Sequence, residues 1–369
     1  MAKLLFPLGL VAALLIFLFR TVSGLSLNDL FIVQSGSTDG GCDTHFNQAA
    51  ESGTLDDWHT EITFALDLVV NRLDTYDQDI KVRRALQIFF GIRNNGKASA
   101  PARVEIDEII GQFQRAKDFF DFRQIGGVPM YPLNGNRYLF CDSNFLIHQA
   151  EDTPAQDWNA QDIIDANGNI VTIGDVPGYA EALAENITSE AWWSGDLTAV
   201  NGYYFSPTGG DYCDGAGLGL TAEITELNQP TRPTGIESII LCGSSFTNGK
   251  PNNYRDGDAL IQAGTNLADV VPKSATLLHE ALHVLNGAGP TGFLQGDEIY
   301  DIAACINAAK ATKKRNPENY IFLVTHLYYL YGEPEDGNPG TSINTNWDFA
   351  VVGNGANRIL GATVSRQVM

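Results

Sequence analysis

Two histidines four positions apart, His279 and His283, enclose Glu280-Ala281-Leu282. On a helix that spacing turns both imidazoles to one side, where they can hold a single zinc ion. Glu280 then stands where a general base would take the proton of a water activated by the metal. The chemistry implied is hydrolysis of a peptide bond. A chain with six histidines meets this five-residue pattern by accident now and then, so the flanking sequence carries weight.

Ser274 to Leu278 lead into the motif, Leu278, Leu282, Val284 and Leu285 supply apolar contacts, and Asn286-Gly287 is a helix stop. A helix this apolar lies mostly inside the protein. Two imidazoles and a carboxylate buried together without a partner ion would cost free energy, which favours a metal over two core histidines.

A catalytic zinc needs a third protein ligand and an open position. The metzincin arrangement is excluded, because Asn286 and Gly289 stand where it requires glycine and histidine. His326, the one histidine further on, falls in an apolar helical pattern and reads as packing. The cluster Gly296-Asp297-Glu298-Ile299-Tyr300-Asp301 is the better source. Asp297 would begin a helix running to about Lys313, with Tyr300 one turn later able to donate to the developing oxyanion. Asp297 could equally be a plain N-cap, and Glu298 or Asp301 could be the ligand instead.

The chain has 369 residues, and 44 acidic against 23 basic side chains give a formal charge of −21. Lys3, the apolar run Leu4 to Phe19 interrupted by Pro7, Arg20 and Val22-Ser23-Gly24 read as a secretory signal over residues 1–24. Its loss would leave a charge of −23 and about 345 residues, enough for one large domain. Such acidity disfavours nucleic acid and anionic membrane as partners and leaves a protein or peptide substrate. No later segment is long and apolar enough to span a bilayer, so the expectation is an extracellular protein with no stable membrane association after signal cleavage. Five cysteines, Cys42, Cys141, Cys213, Cys242 and Cys305, suggest two disulfides and one spare thiol, and Asn186-Ile187-Thr188 is a glycosylation sequon.

An N-terminal part, 25–150, holds the helical patterns. Leu30 to Val33 reads as a strand. Leu55, Trp58, Ile62, Leu66, Val69 and Leu73 recur at helical spacing behind Thr54 as N-cap. Asp79 to Phe90 is a second helix, and Pro101 to Phe120 a third, striped by Val104, Ile109, Phe113 and Ala116. Tyr138 to Cys141 and Ile170 to Ile173 read as strands, the latter after an Asn167-Gly168 turn in which Asp165, Asn167 and Asn169 fit a hairpin better than a calcium loop. Residues 151–234, rich in Gly, Asp and Asn, read as a loop-rich insertion or lid, with Trp192-Trp193 and Tyr203-Tyr204-Phe205 more readily packing than binding. The catalytic part, 235–335, contains the strand Ile239 to Cys242, the motif helix and a helix Glu318 to Tyr331. The tail, 336–369, shows no strong pattern.

His279, Glu280 and His283, followed by Asp297-Glu298-Ile299-Tyr300, resemble the aspzincins, the secreted deuterolysin and peptidyl-lysine metalloendopeptidase group of fungi and bacteria. Ile240-Leu241-Cys242 with Phe246, Ala304-Cys305, and Asn316-Pro317-Glu318-Asn319-Tyr320-Ile321-Phe322 are similar to that family's strand, helix and Asn-Ala-Asp-Asn stretch. The resemblance covers about residues 238–322. It implies an α+β, zincin-like fold in which helices and a small sheet flank the motif helix. It implies Zn2+ held by His279, His283 and Asp297, with Glu280 as base and acid and Tyr300 as oxyanion partner. Glu318 falls where the family's lysine-preferring branch carries an acid, implying lysine beside the cleaved bond. Here the spacing from His283 is longer than the family's, and Asp301 rather than Gly follows Tyr300. The rival expectations are a secreted binding or effector protein on a protease-like scaffold, its cleft closed by the insertion, and a zincin that uses Glu298.

Overall fold

A computed structural model of the chain describes residues 26–46, 54–94, 99–133, 137–176, 179–180, 183, 190–194, 202–206, 213, 217–226, 232–287, 292–294, 298–332, 346–353 and 358–364. The signal segment, the sequon at Asn186 and Asp297 lie outside these residues.

The expected helices form where their caps and stripes place them. A short turn, α1 (Leu27–Leu30), precedes α2 (Leu55–Asp74). Thr54 caps α2 through the Asp57 N–H at 3.4 Å while the Asp57 carboxylate accepts the Thr54 N–H at 3.2 Å. All six apolar stripe residues of α2 are buried. In α3 (Ile80–Phe90) the Asp79 side chain accepts two backbone N–H groups, and Gly91 closes the helix at φ 67°. The third helix, α4 (Ala100–Phe120), corrects one expectation: Val104 is 58% exposed, and the inward stripe is Ile106, Ile109, Phe113, Ala116 and Phe120. Those five alternate by three and four positions, which keeps them on one face; Val104 falls off it.

The expected strand from Leu30 to Val33 shrinks to β1 (Ile32–Val33), because the capping box of Ser26 and Asp29 draws the preceding residues into α1. A two-residue hairpin, β2 (Gln124–Ile125) with β3 (Val128–Pro129), follows α4. The remaining strands, β4 (Arg137–Phe140), β5 (Ile147–Gln149), β6 (Glu190–Trp193), β7 (Tyr203–Ser206), β8 (Gly219–Glu226) and β9 (Arg232–Leu241), join β1 in one seven-stranded sheet. Its order is β1-β4-β9-β8-β7-β6-β5, with β1, β4 and β9 parallel and the rest antiparallel.

The strands are mostly short, and residues 151–234 supply β6, β7, β8 and the start of β9. Facing aromatic pairs, Trp192 with Tyr204 and Trp193 with Tyr203, set the β6–β7 register and are buried, as packing residues should be. The Asn167-Gly168 turn forms, with Asp165 accepting the N–H groups of Asn167 and Asn169. Ile170 and Thr172 make only isolated bridges, and Ile173 enters a 3-10 turn.

Beyond the sheet come α5 (Gly243–Thr247), α6 (Tyr254–Leu260), α7 (Ser274–Asn286), α8 (Ile302–Asn307), α9 (Lys310–Lys313) and α10 (Pro317–Tyr331). Helix α7 packs between β8 and β9 on one side and α2, α4 and α10 on the other. The patternless tail closes as a hairpin, β10 (Trp347–Val352) with β11 (Ile359–Val364), whose Phe349 sits 5.9 Å from the His326 ring. His326 is a core residue, as its apolar helix predicted.

Cys42 bonds Cys141, Cys213 bonds Cys242, and Cys305 is free and buried, which matches the count of two bridges and one thiol. No described helix is long and apolar enough to cross a membrane. The mixed α+β class is as expected.

Candidate metal centre

The motif helix is held at both ends. At its start the Ser274 hydroxyl donates to Glu61 of α2, and the other oxygen of that buried carboxylate accepts the Tyr254 N–H at 2.6 Å. At its end Gly287, at φ 62°, returns its N–H to the His283 carbonyl at 2.8 Å. Every residue from Ser274 to His283 is buried.

His279 Nε2 and His283 Nε2 lie 3.3 Å apart. Glu298 reaches them with one oxygen 3.4 Å from His283 Nε2 and the other 3.7 Å from His279 Nε2. Nitrogen and oxygen ligands about 2.0–2.2 Å from a tetrahedral zinc define edges of about 3.3–3.6 Å, so the three side chains are spaced to share one ion. Among the described residues, His279, His283 and Glu298 are the group whose ligand atoms converge in this way, within 4.8 Å of one another.

Glu298, one of the alternatives to Asp297, is thus the carboxylate that joins the two histidines among the described residues. The helix expected to begin at Asp297 begins after Asp301, which caps α8 by accepting the Ala304 N–H at 2.8 Å. Asp301 is not among the converging ligand atoms. Glu298, Ile299 and Tyr300 form a non-helical segment in which alternate residues part: Ile299 packs on the core, while Glu298 and Tyr300 meet at the site. Asn316 clamps the segment with its side-chain amide, accepting the Ile299 N–H and donating to the Ile299 carbonyl, both at 2.9 Å. The Tyr300 ring stacks on His279 with centroids 5.8 Å apart, and its hydroxyl donates to Glu298.

Behind His279, its Nδ1 meets Glu318 Oε2 at 3.2 Å. A carboxylate there sets the tautomer and raises the basicity of the ring as a ligand. Glu318, in the position associated with lysine preference, is thereby engaged by His279.

Burial pulls His279 down, but Glu298, Glu318 and the charge of Glu280 outweigh it and hold this imidazole up at about 10. His283 is pushed down to about 4 by burial and by the neighbouring His279 charge. Burial would raise Glu298, yet its hydrogen bonds from His279 and Tyr300 keep it below the usual carboxylate range. Tyr300 is driven upward by burial and by the Glu298 carboxylate, so its hydroxyl keeps its proton.

Glu280 points across to the sheet. Its carboxylate accepts the Thr221 hydroxyl of β8 at 2.9 Å, and burial raises it to about 7 against the pull of His279 and Thr221. Gly219, two residues earlier on β8, leaves room for that carboxylate: a Cβ there would come within 3.1 Å of Glu280 Oε1. A cavity of about 490 Å³ opens beside these groups, with His279, Glu280, Tyr300 and Glu318 in its lining.

Thr221, Gly219, Asn316 and the His279-orienting role of Glu318 escaped the sequence reading. Asn316 and Glu318 did lie in a stretch singled out for resemblance, which was a signal; nothing local marked Thr221. Comparison with known protein-family models, curated proteins and solved structures finds no match to this chain.

Proposed function

We propose that this protein is a secreted zinc-dependent endopeptidase. The observation that carries the reading is the convergence of His279, His283 and Glu298 on one point beside the buried Glu280. These three would hold the ion, zinc by the nitrogen-rich donor set, and it would supply a Lewis acid and an activated water. Glu280, near neutrality in its pKa, accepts a proton from water as the C–O bond forms and returns it to the leaving nitrogen as the C–N bond breaks. Tyr300 keeps its hydroxyl proton and stands over His279; it would turn that proton from Glu298 to the carbonyl oxygen as negative charge grows there.

The kinship proposed is with zincins, and the aspzincin likeness of the motif helix and the Asn316–Phe322 stretch belongs to this reading. Glu298 is the carboxylate among the convergent atoms of the described residues, and this reading takes it as the third ligand, the glutamate-ligand form. Two disulfides support an extracellular setting. The cavity beside Glu280 speaks for catalysis over a binding protein with a closed cleft.

Metal analysis with casein digestion tests the proposal. The purified protein should carry one equivalent of zinc and digest casein, chelator should stop it and zinc restore it. Glu280→Gln should keep the metal and lose nearly all turnover. Undiminished digestion by that variant would refute the mechanism, and no digestion by zinc-loaded wild type would favour the binding-protein reading.

A further inference from the structure

Lys250 lines the cavity beside the metal centre and is the one lysine in that lining, which has no arginine, among apolar walls from Val271, Pro272, Ala275 and Ile321. In so acidic a chain, lysines readily find carboxylates. Lys117 pairs with Asp67 and Asp121, Lys310 with Glu105, and Lys314 with Glu108. Lys250 does not. Among the described residues this half-buried lysine has no carboxylate partner, and its side-chain hydrogen-bond contact is the Ala268 carbonyl at a long 3.4 Å.

The acids that line the same cavity are already engaged. Glu280 is held by Thr221, and Glu318 by His279. An ammonium at an apolar cavity wall lacks a strong counter-charge, and a charge-assisted bond to an entering carboxylate would supply it. The protein's net negative charge repels such a ligand only weakly at long range, because exposed charges are screened beyond about 8–10 Å at physiological ionic strength.

We propose that this cavity is a specificity subsite for an acidic side chain, glutamate or aspartate, of a peptide substrate, with Lys250 as its counter-charge. The assignment rests on the endopeptidase reading. It opposes the lysine preference that the family resemblance implied, since Glu318, which would have to recognise lysine, is bonded to His279.

The test uses the zinc-loaded full chain and quenched peptides that differ only in carrying Glu, Gln or Lys at each position around the scissile bond. At one position Glu should exceed Gln by about tenfold or more in kcat/KM. Lys250→Met should abolish that discrimination, and Lys250→Glu should reverse it in favour of Lys. Binding of the same Glu and Gln peptides to zinc-loaded Glu280→Gln should show the same order without turnover. Cleavage indifferent to Glu, a Glu preference that survives Lys250→Met, or a requirement for a free C-terminal carboxylate would each overturn the subsite while leaving the peptidase intact. Failure to cut any peptide would instead remove the peptidase reading, and the subsite with it.

Discussion

Thr221 on β8 shares its one hydroxyl proton between two oxygens of Glu280 on α7, the backbone carbonyl at 3.0 Å and the carboxylate at 2.9 Å. A strand thereby fixes the rotamer of the residue proposed as general base. Thr221→Val keeps the shape and removes the hydroxyl. A hydrogen bond to a charged group contributes about 1.5–3 kcal/mol, so kcat should fall about 10- to 100-fold. Bound zinc should be unchanged, and steady-state kinetics beside metal analysis would separate the two.

The third ligand is tested by a pair of substitutions. Glu298→Ala should weaken zinc binding by at least about 100-fold, since a three-ligand site becomes a two-ligand one. Asp297→Ala should retain the metal. Competition with a chromophoric chelator reads both, and the reverse pattern would move the ligand back to Asp297.

Glu318→Gln leaves a side chain that can still touch His279 but no longer carries charge. Loss of such an outer carboxylate typically costs about 10- to 100-fold in metal affinity or activity. The same chelator competition should report a loss in that range, with the thermal midpoint of the metal-free form little altered.

Glu61 predicts a pH dependence of stability. Burial raises its carboxyl to about 8, against the hydrogen bonds from Ser274 and Tyr254 that pull it down. The unfolded chain releases this proton near pH 4.5, so between about pH 4.5 and 8 the folded state holds one proton more. The contribution is complete at the acid end and is lost as pH rises, by at most about 1.4 kcal/mol per unit. Glu61→Gln should flatten that slope in urea unfolding at pH 5, 6.5 and 8; a slope equal to that of wild type would contradict the assignment.

Local signals were read well from the sequence. Thr54, Asp79 and Gly91 mark helix ends through bonds to their own neighbours, and His279, Glu280 and His283 owe their alignment to the pitch of a single helix. What depended on distant parts of the chain was not visible. Asn316, from a distant part of the chain, clamps Ile299 and so leaves its neighbours Glu298 and Tyr300 turned toward the histidines. Residues 151–234 read as loop because glycines and polar residues interrupt their alternation. Backbone pairing with β9 and the buried Trp192–Tyr204 pair nevertheless hold strands there. Val104 and Ile106 are both apolar and two positions apart, and the position of the rest of the core is what buries Ile106 and leaves Val104 exposed.

Cys305 is walled in behind Ile299, donating its S–H to that residue's carbonyl at 3.0 Å, and burial together with nearby carboxylates drives its pKa upward. An unpaired sulfur of this kind ordinarily endangers an oxidised protein, because a thiolate can attack an existing bridge and shuffle partners. Kept neutral and out of reach, it leaves Cys42–Cys141 and Cys213–Cys242 without an internal rival once the chain has closed, so the correct connectivity is preserved for the life of the folded molecule.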